Sequence, residues 1–292
     1  MKTLKLAAAI TALAGSMTAH AAGNIDLFTA PTGTTTVFQT DSGTILYSSP
    51  VPAGPNTDGS YDTIPFLETD DSDSPGSIIG GYRDMLVEVI STTGSAATYA
   101  SSSMTVDNGT LSFNNDTGVT GRGTLQWDGM DNSSDLDTTL GLGGIDFLSL
   151  GDAFSFDVLS ADAGFDFSIG LYDGQDNFVV FDLAANDGAH PASIAFSYFS
   201  NAHLTGLCNE GSGFTAPNGD IINSIACGGT IGAFDITDIN AMEVVFNTND
   251  GVVDIDLSIT SITAVPEPSS LALIGLGLMA TGFASKRKSK KA

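Results

Sequence analysis

The stretch "GVVDIDLSITSI", residues 251–262, decides the fold class. Val253, Ile255, Leu257 and Ile259 alternate with Asp254, Asp256, Ser258 and Thr260. Successive side chains of an extended chain point to opposite faces, so one face of this segment is apolar and the other is polar. That period of two marks a half-buried strand; at the 3.6-residue period of a helix the same residues would scatter around the axis. Working outward, "GFDFSIGLYD" places Phe165, Phe167, Ile169 and Leu171 on one face, and "DAFSFDVLS" (152–160) sets Ala153, Phe154 and Phe156 among polar partners. Similar runs occur at "YRDMLVEVIST", "GTLSFNN", "GTLQWDG", "NFVVFDL", "ASIAFSYFS" and "AMEVVFNT". Turn clusters such as "DNGT", "NNDTG" and "YDGQDN" separate them.

So many alternating segments in one domain-sized length predict an all-β fold: two packed antiparallel sheets forming a sandwich of the jelly-roll type. Composition agrees. Of the 34 acidic residues 29 are Asp, which favours turns over helix interiors. The strand-dense core is expected from about Ile78, with Ile25–Tyr47 supplying an earlier strand pair. Between them, residues 48–77 hold five of the ten prolines and read as an extended arm or long loop.

Charge divides the chain into three parts. Residues 23–264 carry 33 Asp and Glu against two arginines, a net charge of about −31. Such a surface repels nucleic acid and anionic lipid, which removes both as partners of the body, and it attracts divalent cations. The other seven basic residues lie at the ends: Lys2 and Lys5, then Lys286, Arg287, Lys288, Lys290 and Lys291. In "MKTLKLAAAITALAGSMTAHAAGN" two lysines precede a short apolar run from Leu6 to about Leu13, and Ala19-His20-Ala21 offers small residues for signal peptidase. Residues 1–22 are therefore expected to be a signal peptide, cut after Ala21 or Ala22, with 23–264 exported as the ectodomain.

The other end reads "VPEPSSLALIGLGLMATGFASKRKSKKA" (265–292). Val265-Pro266-Glu267-Pro268, an apolar segment from Leu271 to Ala284 and the basic run from Lys286 to Lys291 follow one another in order. Pro266 and Pro268 lack a backbone N–H and resist helix, so this motif stays extended. The 14 residues 271–284 would cover about 21 Å as a helix, enough for a single transmembrane segment if flanking residues join or the bilayer thins. The basic run would hold its far end in the cytoplasm. These residues resemble the PEP-CTERM sorting signal of Gram-negative bacteria. The resemblance implies recognition by an exosortase-type processing enzyme, an intermediate held in the inner membrane by the tail, and delivery to the cell surface or an exopolysaccharide matrix. The body resembles, at the level of fold, galactose-binding-like and carbohydrate-binding sandwich domains, through "GGYRD" (80–84), "LQWDG" and "GLGGIDF".

Candidate sites are few. Cys208 and Cys227, the two cysteines of an exported chain, are expected to form a disulfide. Clustered carboxylates in "ETDDSDS" (Glu68, Asp70, Asp71, Asp73), "DNSSDLD" (Asp131, Asp135, Asp137) and "YDGQDN" (Asp173, Asp176) suggest calcium as the one cofactor to consider, with Asp70, Asp71 and Asp73 or Asp131, Asp135 and Asp137 as the chosen sites; none has EF-hand spacing, and a solvated turn is the simpler reading of each. Trp127, the single tryptophan, admits two readings beside Asp128: a core anchor, which its strand position favours, or a sugar-stacking platform. Arg83 and Arg122 are expected to pair with nearby carboxylates. For catalysis the signals are poor. His190 and His203 are the histidines outside the signal peptide, and no G-x-S-x-G or H-E-x-x-H pattern occurs. The expectation is an exported, non-enzymatic surface or matrix protein. The alternatives are a carbohydrate-binding module for exopolysaccharide and, further off, a secreted hydrolase.

Overall fold

The computed structural model describes residues 23–29, 35–40, 45–48, 66–72, 75–93, 101–162, 164–185, 190–199, 208, 214–215, 221–230, 232–248 and 254–265. The expected signal peptide, most of the 48–77 segment, the motif from Pro266 and the apolar segment 271–284 lie outside these residues. Among the described residues no helix is long and apolar enough to cross a membrane.

In chain order the strands are β1 (Gly23–Asp26), β2 (Thr35–Thr40), β3 (Ile45–Ser48), β4 (Phe66–Asp70), β5 (Tyr82–Thr92), β6 (Ser101–Asp107), β7 (Thr110–Asn115) and β8 (Val119–Trp127). They continue with β9 (Ala153–Ala161), β10 (Phe165–Asp173), β11 (Phe178–Ala185), β12 (His190–Ala195), β13 (Phe214–Thr215), β14 (Ile221–Gly228), β15 (Ile239–Phe246) and β16 (Asp256–Val265). Two eight-stranded sheets result. The first runs β12-β9-β16-β7-β6-β2-β3 with β1 added beside β16; the second runs β13-β14-β11-β10-β15-β8-β5-β4. Every pairing is antiparallel.

The alternation that predicts the strands also sets the core between the sheets. On β16 Leu257 and Ile259 point inward, a register shift follows between Ile259 and Ser261, and Ile262 and Ala264 then point inward instead. The extra residue of that bulge keeps both halves of the strand facing the core. From the second sheet Phe246 and Phe167 meet Phe113 and Phe156 of the first, with ring centroids 6.0 and 5.4 Å apart. On β8 a Cβ at Gly123 would lie 2.5 Å from Met104 Cε and 2.9 Å from Phe113 Cδ2, so glycine lets the sheets close at that point. Asn108 and Gly109 adopt positive φ (49° and 79°) in the β6–β7 turn, the conformation that an Asn-Gly hairpin turn requires.

The connections define two ends. At one end a short turn, 116–118, joins β7 of the first sheet to β8 of the second, and the end of β9 lies in the same sheet as β7. The end of β8, the starts of β5, β9 and β15 and the last residue of β16 gather at the opposite end, with segments 75–81 and 128–152. Cys208 is disulfide-bonded to Cys227 on β14.

Candidate functional site

The second of these ends concentrates the buried charge. On β5, Arg83 falls in phase with the inward-pointing Met85 and Val87, so its guanidinium enters the core. There Nη1 donates to both oxygens of Asp26 on β1, at 2.8 and 2.9 Å, with both side chains fully buried. Nη2 donates to Thr69 Oγ1 at 3.1 Å, and the guanidinium stands 5.7 Å from the ring centre of Phe28. Asp26 also accepts from Phe28 N at 2.7 Å and from Trp127 Nε1 at 3.1 Å. This knot ties β1 of the first sheet to β5 and β8 of the second. It decides between the two readings of Trp127: the ring is fully buried, and the sugar-platform alternative is corrected because no face of the indole meets solvent. Asp128 is likewise 2% exposed and unavailable to a surface sugar.

The next residue along β5 points the other way. Asp84 stands in register with Glu68 of β4 and Gln126 of β8 on the outer face of the second sheet. Yet it is 1% exposed. The cover comes from the segment after β8, fastened at several points: Asp131 N and Asn132 N donate to Glu68 Oε2 (3.0 and 2.8 Å), and Asp137 N donates to Asp128 Oδ2 (2.8 Å). Leu142 N donates to Asn240 O (2.6 Å), and Asn240 Nδ2 donates to Thr139 O (2.8 Å). One carboxylate oxygen from each of Glu68, Asp84 and Asp131 lies within 4.8 Å of the others, and Asp128 abuts Asp84.

The electrostatics are uncompensated. No other residue donates to either oxygen of Asp84, and only one oxygen of Asp128 is taken, by Asp137 N; the two carboxyls are left within hydrogen-bonding reach of each other. Burial, then the Asp128 and Glu68 charges, push the Asp84 carboxyl up to about 9. Burial also raises Asp128, against the lowering bond from Asp137 N. Such a group can hold a divalent cation, or else keep a proton between Asp84 and Asp128.

The carboxylates singled out in sequence are divided by the structure. Asp131 joins this cluster. Asp70 caps its own turn through Ser72 N (3.2 Å) and Oγ (2.7 Å), Asp71 accepts from Gly76 N (2.6 Å), and Asp73 lies outside the described residues. Asp137 accepts from Thr139 N and Leu140 N, which lower its pKa, and neither it nor Asp135 enters the cluster. Among the described residues, Asp131, Asp135 and Asp137 do not converge, and Asp70, Asp71 and Asp137 each spend an oxygen on turn N–H groups. Asp173 of "YDGQDN", although buried, is fully occupied by Gln175, Asn177 and Asp235. Arg122 Nη1 lies 4.0 Å from Glu88 Oε2, a half-exposed pair. Asp84 was hidden from a reading by sequence clusters, since it meets Glu68 of the run "ETDDSDS" only through strand register.

β16 ends at Val265, held by Asp152 N donating to Val265 O at 2.8 Å, and a family profile described as the PEP-CTERM protein-sorting motif matches residues 264–288. The chain carries a PEP-CTERM sorting motif. It is thereby an exported protein addressed to exosortase processing at the membrane and on to the cell surface. No curated protein matches the chain. Among solved structures, the one described as "Structure of PfGH50B" is 10% identical, covers 60% of this chain and 22% of that one, and has a TM-score of 0.34. The match thus spans about a fifth of that protein's length.

Proposed function

We propose that the protein is a non-enzymatic surface or matrix component of a Gram-negative bacterium, delivered as a folded sandwich by an exosortase-type system. The observation that carries this reading is the sorting motif placed directly at the end of a core strand. Val265 is still paired with Ala153, and five residues, 266–270, separate it from the apolar segment at Leu271. Fully extended they reach at most about 17 Å. While residues 271–284 span the inner membrane, the body hangs close to the bilayer by the end that bears β1, the buried ion pair and the acidic cluster. Gly23 pairs with Ala264, so the expected signal-peptide cleavage point and the sorting motif lie at neighbouring strands.

A structural or adhesive role, with exopolysaccharide as a matrix partner, fits the strongly acidic exterior and the want of a histidine-based or serine-elbow motif. The chain crosses repeatedly between sheets, at β3–β4, β5–β6, β7–β8, β8–β9, β9–β10, β11–β12, β12–β13 and β15–β16, which favours the jelly-roll description. Fractionation tests the sorting step. Pro266→Ala and Glu267→Ala variants are expected to stay in the membrane fraction while wild-type protein reaches the surface. Equal release of both variants would overturn the reading.

A further inference from the structure

We propose that Glu68, Asp84, Asp128 and Asp131 form a calcium site that fastens the segment 128–142 over the outer face of the β4–β5 edge. The inference does not rest on the sorting reading. Three observations carry it. The first is proximity: oxygens bound to one calcium at about 2.4 Å lie no more than about 4.8 Å apart, and Glu68, Asp84 and Asp131 already satisfy that spacing.

The second is the state of the floor of the site. Asp84 is 1% exposed and no N–H group donates to either of its oxygens; Asp128 is 2% exposed and none donates to its Oδ1. Buried carboxylates elsewhere in this protein are treated otherwise: Asp26 accepts from Arg83, Trp127 and Phe28, and Asp173 from Gln175, Asn177 and Asp235. Orphaned anionic oxygens buried side by side are costly unless a cation or a proton joins them.

The third is the arrangement of the remaining oxygens. Glu68 Oε2 and Asp128 Oδ2 are spent on backbone N–H groups of the covering segment, as is Asp131 Oδ1 on Ser133 N. These bonds fix each carboxylate while leaving it a second oxygen, and no N–H group takes either oxygen of Asp84, which faces Asp128. Asp131 is exposed and Glu68 half-buried, which gives the cation a way in and room for water. An all-oxygen donor set of four carboxylates selects a hard cation over zinc or copper. Its irregular, carboxylate-rich geometry suits calcium with six to eight ligands better than magnesium, which demands a near-octahedral shell and retains its waters.

The alternative occupant is a proton shared by Asp84 and Asp128. The full chain, purified in detergent and stripped of divalent ions, is titrated with calcium chloride by calorimetry. One saturable calcium per chain is expected, with magnesium at least tenfold weaker. Asp84→Asn should weaken calcium binding at least tenfold. Asp131→Asn, on the exposed rim where folding is not at stake, should weaken it in the same direction, and Asp135→Asn should leave it unchanged. Absence of saturable uptake by the wild-type chain would overturn the site in favour of the shared proton. Uptake that is equal in wild type, Asp84→Asn and Asp131→Asn would overturn the assignment of ligands.

Discussion

Replacing Asp26 with Asn removes one charge from the knot that joins the two sheets and leaves nearly every atom in place. Arg83 then stays fully buried with no anion to face, since the described contacts of its Nη1 are both to Asp26. Breaking a buried pair from one side costs about 3–5 kcal/mol, because the surviving charge remains desolvated. The Asn oxygen can still accept from Phe28 N or Trp127 Nε1 but not serve both oxygen positions, which adds up to about 1 kcal/mol. For a domain of this size each kcal/mol lowers the midpoint by about 2–4 °C, so Asp26→Asn should melt roughly 6–24 °C below wild type. Trp127, the single tryptophan, donates to this same carboxylate, so its fluorescence reports unfolding at the site itself. Urea titration followed by that emission and by far-UV circular dichroism gives the free energy. Arg83→Met in the Asp26→Asn background should recover part of the loss, making the double variant less damaged than the two single effects combined. A cost below about 1 kcal/mol for Asp26→Asn, or strictly additive effects, would refute the reasoning.

Cys208→Ser opens a link of sequence separation 19 and should lower stability by about 3 kcal/mol under the chain-entropy account, read as a lower midpoint on non-reducing samples. Gly121→Ala puts a Cβ against Ser102 and Asn115 at the sheet interface and should cost roughly 1–3 kcal/mol by urea titration. Glu243 is held above the usual carboxylate range by burial, only partly offset by the bond from Gln126 Nε2 at 3.0 Å. A raised acid pKa stabilises the fold below the unfolded value and withdraws that support as pH rises through the folded one. Glu243→Gln should therefore gain stability relative to wild type between pH 4 and pH 7, and equal pH profiles of the two would count against the burial argument.

The fold was legible because the period of two survives almost everywhere, and turn chemistry such as Asn108-Gly109 marks the hairpins. Even the inward charge could be read locally, since Arg83 shares the phase of Met85 and Val87. The bulge of β16 could not: Ile259 and Ile262 lie three residues apart, and only pairing with β9 shows how both face inward. Local clustering misdirected the search for a site. Asp70, Asp71 and Asp137 sit in acidic runs, but near neighbours in sequence make turns and spend their oxygens on backbone N–H groups. Glu68 and Asp84 are 16 residues apart and meet through strand register, and Asp131 arrives on a segment folded back over them. Trp127 finds its partner 101 residues away, in the other sheet.

Intact-mass measurement of the protein recovered from the cell surface tests the sorting account most directly. The expected species begins near Gly23, after loss of the signal peptide, and lacks residues from about Pro268 onward. A surface species that still carries Lys286–Lys291 would contradict exosortase processing and leave the tail as a plain membrane anchor.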